Sequence, residues 1–539
     1  MRVLLATGRK AEAMVKDAVR ISANSPLNCD VLTQGLDIAA FSTPESLRKA
    51  LEKHFSSEKE YDLILVSGLC KADFSYLEKE IGTTIRLGPR HAYDIGEALQ
   101  FVEELEFSSR VPADVFLTEK RRENARERLS ELERGIKGKF SIKGVKIGGG
   151  ARMKVCAEIV DATQLNEQKI QRKMRYFMEN GADIIDIGVH IGAKQGEVKK
   201  AVKAARAFAP DVPISVDTLD AELIRAGIEA GADMVLSVNK GNITEVGDEI
   251  GRNNIAAVVI PDFDASDKNA SLVANVKMAK ERGIKRIIVD PVLNAVGYGI
   301  AESLYNYYLF RQHDKSTGTP LFFGVGNVTE LMDADSVGVN ATLAGIASEL
   351  SADILFTPEY SDKAIGSVKE LRIASEMMAL AKARKSSPKD LGLTLLMLKE
   401  KRRKTVIQIQ TRDKSKDTDS DSKLVVAKGN TKWKLDPKGC FRIGICEVEE
   451  GGDSDRRIYA EHVPTGKRIV GETAKEVMDT ILRLDMVSML EHASYLSIEL
   501  TNAELALRLN RGYEQDEGLF FYEINPSRVF GGTGVARDV

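Results

Sequence analysis

Apolar residues in the middle of the chain fall into short β-branched runs, each opened by a small-residue turn and closed by a polar residue. NGADIIDIG, AGADMVLSVN and LSADILFTPE, ending at Gly188, Asn239 and Glu359, are near-copies of one another. KVCAEIVD, PISVDT, IAAVVIPD, RIIVDP and LFFGVGN complete a set of eight between Lys154 and Glu359. Runs without polar alternation are what a strand buried on both faces requires. Between successive runs lies enough chain for a helix. Eight such units in about 240 residues predict a closed (β/α)8 TIM barrel. The competing architecture, a doubly wound open sheet, usually stops at about five or six strands.

The flanks follow other patterns. MRVLLATG and YDLILVSG read as strands, each leading into a helical stretch, which predicts a small N-terminal α/β domain over residues 1–141. Its last part, EKRRENARERLSELERGIKGK, reads as a charged connecting helix. The barrel is expected over 142–384, followed by a helix and polar linker over 385–423, with Thr411 to Lys423 as a flexible connection. A small C-terminal α+β domain is expected over 424–539. There CFRIGIC and RIYAEHV read as strands and HASYLSIELTNAELALRL as an amphipathic helix.

Composition narrows the class. With 43% hydrophobic and 29% charged residues in a chain of 539, this is the make-up of a soluble globular protein of several domains. A net charge of −3 gives no reason to expect nucleic acid or an anionic membrane as partner. No apolar run is long enough to span a bilayer. Met1-Arg2 leads only into VLLA, without a signal-peptide core, so the cytoplasm is the expected compartment. Five scattered cysteines argue against a disulfide framework. Cys440 and Cys446 would share one face of a strand, which admits thiol chemistry or a metal beside the commoner role of buried apolar side chains.

In a (β/α)8 barrel the active site lies at the C-terminal ends of the strands. Those ends carry Asp161, Gly188 and His190, Asp217, Asn239, Asp262, Asp290, Asn327 and Glu359. Asp262 and Glu359 read as caps of the helices that follow. Asp217, Asn239, Asp290 and Asn327 together exceed what capping needs. Carboxylates accept hydrogen bonds in pairs, and amides offer both a donor and an acceptor. The set suits a flat heterocycle with adjacent N–H donors and a carbonyl, such as an aminopyrimidinone. No Cys/His cluster has metal-ligand spacing, so no residue is assigned to a metal, and His190 alone reads as a surface or packing histidine. In the first domain, Thr7-Gly8 and Ser67-Gly68 end strands where a phosphate could meet a helix N-terminus, although GRKAEA is not a dinucleotide fingerprint.

GADIIDIG, PISVDT, GADMVLSVN and IIVDP, in this order, resemble the pterin-binding barrel family, which includes dihydropteroate synthase and pterin-dependent methyltransferases. The resemblance covers about Val155 to Ile373. It implies that Asp217, Asn239 and Asp290 hold the pyrimidine edge of a reduced pterin. The diphosphate-binding groups of dihydropteroate synthase are replaced here: GVHIGAKQGE, GVGNVTEL and LFTPEYSDK stand in their places. Lys194 and Lys363 are candidate substitutes at the rim. The methyltransferase branch has a first-strand Glu and Asn, echoed by Glu158 and Asp161, and a seventh-strand Asn, echoed by Asn327. The resemblance thus marks Asp161 and Asn327 as catalytic candidates, with Glu158, His190, Lys194 and Lys363 as rim contacts.

The whole-chain arrangement is similar to archaeal proteins described as dihydropteroate-synthase-like, which implies methanopterin rather than folate, and a homodimer. Three functions follow, the first of them the leading expectation. It joins a dihydropterin-methyl diphosphate to an arylamine, in folate or methanopterin biosynthesis, with Mg2+. Another moves a methyl group from N5 of a methylated pterin to a corrinoid, carried by a partner protein, or to a thiol. The third binds a pterin without turnover.

Overall fold

The computed structural model describes residues 1–21, 28–54, 61–314, 317–398, 434–450, 453–516 and 519. They fall into two compact units, residues 1–402 and 403–539.

The first unit opens with four parallel strands, β1 (Arg2–Thr7), β2 (Asn28–Thr33), β3 (Leu63–Val66) and β4 (Thr84–Leu87), in the order β2-β1-β3-β4. Alternate residues of these strands face opposite cores. Leu4, Ala6, Ile64 and Val66 pack on one side, and Val3, Leu5, Leu63 and Leu65 on the other. This is the expected α/β layer. Gly8 and Gly68 are explained by packing: a Cβ on Gly8 would lie 2.7 Å from the Asp37 carbonyl oxygen, and one on Gly68 would collide with that of Gly88. The charged run forms the helix Ala113–Gly135.

A short antiparallel hairpin follows, β5 (Phe140–Ile142) and β6 (Val145–Ile147). Then come the eight parallel strands: β7 (Lys154–Ile159), β8 (Ile184–Gly188), β9 (Ile214–Asp217), β10 (Met234–Val238), β11 (Ala256–Val259), β12 (Arg286–Val289), β13 (Phe322–Phe323) and β14 (Ile354–Thr357). Seven neighbouring pairs are hydrogen-bonded, in the order β12-β11-β10-β9-β8-β7-β14-β13. A single bridge, Val289 to Leu321, links the remaining edges. The Val289 amide donates to the Pro320 carbonyl at 2.9 Å. A helix follows every strand, from Glu167–Glu179 after β7 to Ser367–Arg384 after β14. The eight predicted strands are therefore all present, as a nearly closed (β/α)8 barrel.

The runs are apolar throughout because both sides of the wall are packed. Outward-facing Val155, Ile185, Ile187, Val216 and Val289 meet the helices. Inward-facing Cys156, Ile184, Met234, Val258, Ile288, Phe322 and Ile354 fill the lower barrel. Ile142 and Ile147 of the hairpin join that inner cluster, so β5 and β6 stopper the N-terminal end. Lys154 is 3% exposed and pairs with Glu133 of the long helix, fixing the same end. The stoppered end leaves the C-terminal end as the mouth.

Residues 385–398 form no helix or strand, and 399–433 lie outside the described residues, including the connection expected from Thr411 to Lys423. The second unit has an antiparallel sheet, β15 (Phe441–Glu450), β16 (Asp453–His462) and β17 (Lys467–Gly471), with helices Ala474–Arg483 and Leu490–Arg508. Ile443, Ile458 and Ala460 of the sheet pack on Val477, Ile481, Leu496 and Leu500 of the helices. This is the expected α+β arrangement.

Ile147→Ala empties a fully buried position in the barrel stopper. It should cost about 2–4 kcal/mol, read as a lower denaturant midpoint with little change in slope.

Candidate active site at the barrel mouth

Side chains two residues apart on a strand face the same way. Counting up from the inner cluster, that parity carries Glu158, Asp186, Asp217 and Asp290 into the barrel above Cys156, Ile184 and Ile288. Glu158 pairs with Asp186 across β7 and β8, and Asp186 with Ser215 across β8 and β9. Three carboxylates on adjacent strands therefore converge. One oxygen from each of Glu158, Asp186 and Asp217 lies within 4.8 Å of the others.

Asp186 is fully buried. Ser215 Oγ donates to its Oδ1, while its Oδ2 is buried and has no hydrogen-bond partner. Glu158 reaches over Gly188, where a Cβ would strike its Oε1, so glycine at the end of β8 makes room for that carboxylate.

Burial and mutual repulsion hold these acids away from ionisation. The Glu158 carboxyl is pushed up to about 8, first by burial and then by Asp217, Asp161 and Glu330, with Lys173 as the weaker opposing charge. Asp186 is raised well above the ordinary range by burial, then by Asp217 and Glu158. Burial raises Asp217 to about 6. Below them, burial keeps Cys156 a thiol.

Asp290, which ends β12, is 9% exposed. Its Oδ1 accepts from the Val292 amide at 2.8 Å and from the Tyr307 hydroxyl at 2.5 Å. Burial raises it to about 6, against the pull of those two donors. Asn239, also 9% exposed, accepts the Gly241 amide on its Oδ1 at 2.9 Å, and its own backbone amide donates to Asn242 Oδ1. Asn327 is exposed on a single helical turn, Gly326–Thr329, and its Nδ2 donates to the Leu293 carbonyl at 2.9 Å. That bond ties the loop after β13 to the one after β12. Asp161 is exposed in a left-handed conformation (φ 50°) at the top of β7, where its charge acts on Glu158.

The remaining candidates have local partners. His190 Nδ1 sits 2.6 Å from Thr163 Oγ1, joining the first two mouth loops. Lys194 is exposed and its backbone amide donates to Glu197 Oε2, opening the helix Gln195–Phe208. Lys363 pairs with Asp333 at 2.8 Å. Glu359 is a cap, as expected: it accepts the Gly366 and Val368 amides at 2.8 Å each and the Tyr176 hydroxyl at 2.5 Å. Asp262 is also structural, but it caps no helix. It ties Lys240, Ser271 and Asn275 together, while Asp267 caps the helix Lys268–Glu281. Cys440 and Cys446 join no metal-ligand cluster among the described residues.

Two residues of the mouth escaped the sequence argument. Asp186 lies inside IIDIG rather than at its end; its parity with Gly188 is the signal that places it. Tyr307 lies on the helix Ile300–His313, where no strand-based pattern reaches it.

A family model described as "Pterin binding enzyme" matches residues 159–337, which hold most of this mouth. Models described as "Family of unknown function (DUF6513)" and "PterinBD-DUF4346" match residues 1–90 and 435–516. "Uncharacterized protein MJ0107" of Methanocaldococcus jannaschii is 35% identical over 96% of this chain and 99% of its own length. The chain belongs to the pterin-binding barrel family. Dihydropteroate synthase of Clostridium beijerinckii is 26% identical over 26% of the chain and 58% of its own length. Acetyl-CoA decarbonylase/synthase complex subunit gamma 1 of Methanosarcina thermophila is 26% identical over 42% of the chain and 48% of its own length. No helix among the described residues is long and apolar enough to cross a membrane.

The acids of this pterin-binding barrel set a pH dependence. Native carboxyls raised to about 6 and about 8 retain protons that the unfolded chain releases near pH 4. Stability should therefore fall as pH rises from about 4 to about 8. Thermal unfolding in chelator-treated buffer should show a higher midpoint at pH 5 than at pH 8, and Asp290→Asn should flatten that slope.

Proposed function

We propose that this protein is a transferase acting on a reduced pterin, and that it moves a methyl group from the pterin's N5. The pterin's pyrimidine edge would sit on Asp290 and Asp217, with Asn239 beside them. Ionised, each acid accepts the 2-amino and ring N–H donors in charge-assisted bonds, roughly twice as strong as neutral ones. Tyr307 and the Val292 amide hold Asp290 Oδ1, leaving Oδ2 for the ligand.

The single observation behind methyl transfer is the charge of the mouth. Among the described residues, the groups that converge inside it, Glu158, Asp186, Asp217 and Asp290, are acids, with Lys173 as a weaker opposing charge beside Glu158. Lys363 is committed to Asp333, and Lys194 stands at the outer rim. Such a site repels a diphosphate and suits a neutral methylated pterin. In the step, the N5–CH3 bond breaks, its electron pair stays on N5, and N5 takes up a proton. The carbon bonds to a nucleophile, a corrinoid on a partner protein or a thiol. Asn327 offers an amide that can follow protonation at N5. The partial likeness to an acetyl-CoA decarbonylase/synthase subunit supports one-carbon chemistry.

The second reading, condensation of a dihydropterin-methyl diphosphate with an arylamine, rests on the likeness to dihydropteroate synthase. It requires positive charge that the inward-facing side chains do not supply.

Asp290→Asn should weaken a reduced pterin by about thirtyfold or more, because the loss of one charge-assisted acceptor is worth roughly 2 kcal/mol. Calorimetry on the folded variant measures it. The full chain given N5-methylated tetrahydromethanopterin or tetrahydrofolate with cob(I)alamin should yield the demethylated pterin. Diphosphate release from a pterin diphosphate and an arylamine, without demethylation, would replace the first reading with the second.

A further inference from the structure

Glu158 and Asp186 stand against Asp217 in a way that neither the pterin contacts nor the packing explains. Asp290 lies apart from them, with Tyr307 as its neighbour. Three carboxylates have been brought to one point, each from a different strand, so the arrangement depends on barrel register rather than on one flexible loop. Among the charges that act on Glu158, Lys173 opposes the carboxylates and ranks behind burial, Asp217, Asp161 and Glu330. Asp186, the innermost, is immobilised through Ser215 on one oxygen and leaves the other buried and unsatisfied. A buried polar atom without a partner normally costs stability, so such an atom in a native interior calls for an occupant.

We propose that Glu158, Asp186 and Asp217 form a binding site for one hard divalent cation, Mg2+, Mn2+ or Ca2+. An all-oxygen, all-carboxylate set selects such ions over zinc or copper, which favour nitrogen and sulfur. The spacing fits. Two oxygens on one such ion lie between about 3 Å apart when adjacent and about 5 Å when opposite, for bonds of about 2.1–2.5 Å. The three carboxylates, within 4.8 Å of one another, fall inside that range. Asp186 supplies the otherwise orphaned Oδ2, Glu158 closes the site from the mouth side above Gly188, and Asp217 uses one oxygen. The remaining positions go to water, as Mg2+ in particular prefers. The second oxygen of Asp217 stays available to a ligand above.

The cation would act on the pterin site through charge. Three ionised carboxylates and one divalent ion sum to −1. Asp217 is then kept ionised, the form in which it accepts N–H donors. The mouth remains negative, so the ion does not turn it into a diphosphate site. Metal and reduced pterin should therefore bind cooperatively, each raising the affinity of the other by the same factor.

The proposal does not rest on the pterin assignment, and the test separates the two. The full chain, freed of metal with chelator, is titrated with Mn2+ and followed by electron paramagnetic resonance of the free ion, with Mg2+ and Ca2+ as competitors. One saturable site is expected. Asp186→Asn should weaken it by about thirtyfold or more, the loss of one charged ligand. Glu158→Gln, at the partly exposed end where folding is least at risk, should also weaken it, by about tenfold or more. Asp290→Asn should leave Mn2+ binding unchanged while weakening pterin binding by about thirtyfold or more. Absence of a saturable Mn2+ site in the full chain, or a site that survives both Asp186→Asn and Glu158→Gln in folded protein, overturns the proposal. A site that is lost in both variants, in a chain that takes no pterin, sustains it and overturns the pterin reading alone.

Discussion

Carboxylates buried side by side must be neutralised by protons, by cations or by hydrogen-bond donors, and the upper barrel is organised by that requirement. Moving a charge from water into a low-dielectric interior is expensive, and a second like charge alongside adds to the cost. Two solutions coexist a few strands apart. Asp290 is answered by donors, the Tyr307 hydroxyl and the Val292 amide. Glu158, Asp186 and Asp217 have between them one side-chain donor among the described residues, Ser215, and burial with mutual repulsion holds Glu158 and Asp186 towards their protonated forms. The mouth is chemically asymmetric for this reason.

The rest of the barrel makes that environment possible. Parallel strands packed on both faces give a rigid wall, and the hairpin Phe140–Ile142/Val145–Ile147 closes the lower end against water. The C-terminal side is therefore the open one, and the loops carrying His190, Asn327 and Lys363 surround it. These loops are cross-tied. His190 bonds Thr163, Asn327 bonds the Leu293 carbonyl, and Lys363 pairs with Asp333. Their groups are held in fixed geometry before any ligand arrives, which is how binding energy is kept for the ligand rather than lost to ordering.

The eight strands could be read from the sequence because burial on both faces writes an uninterrupted apolar run and small-residue turns punctuate it. The same pattern exposes Asp217, Asn239 and Asp290, since each breaks a run at its end. Asp186 was hidden by the same logic: within IIDIG it looks like part of the wall, and only alternation with Ile184 and Gly188 turns it inward. Tyr307 was beyond reach because its partnership with Asp290 joins a strand end to a helix 17 residues on, a contact set by tertiary packing. Glu359 was legible as a cap from its place before a helix. Asp262 in the same kind of position was not, because its carboxylate binds the Ser271 and Asn275 side chains and the Lys240 main-chain amide from neighbouring segments.

The placement of a pterin's pyrimidine edge against the buried acids is the central claim. The most direct measurement is a crystal structure of the full chain soaked with a reduced pterin. The pyrimidine ring should lie inside the mouth, with its 2-amino and ring N–H groups on Asp290 Oδ2 and Asp217 and its carbonyl towards Asn239. A pterin bound elsewhere on the barrel, or lying with its pyrimidine edge turned away from Asp290 and Asp217, would contradict it.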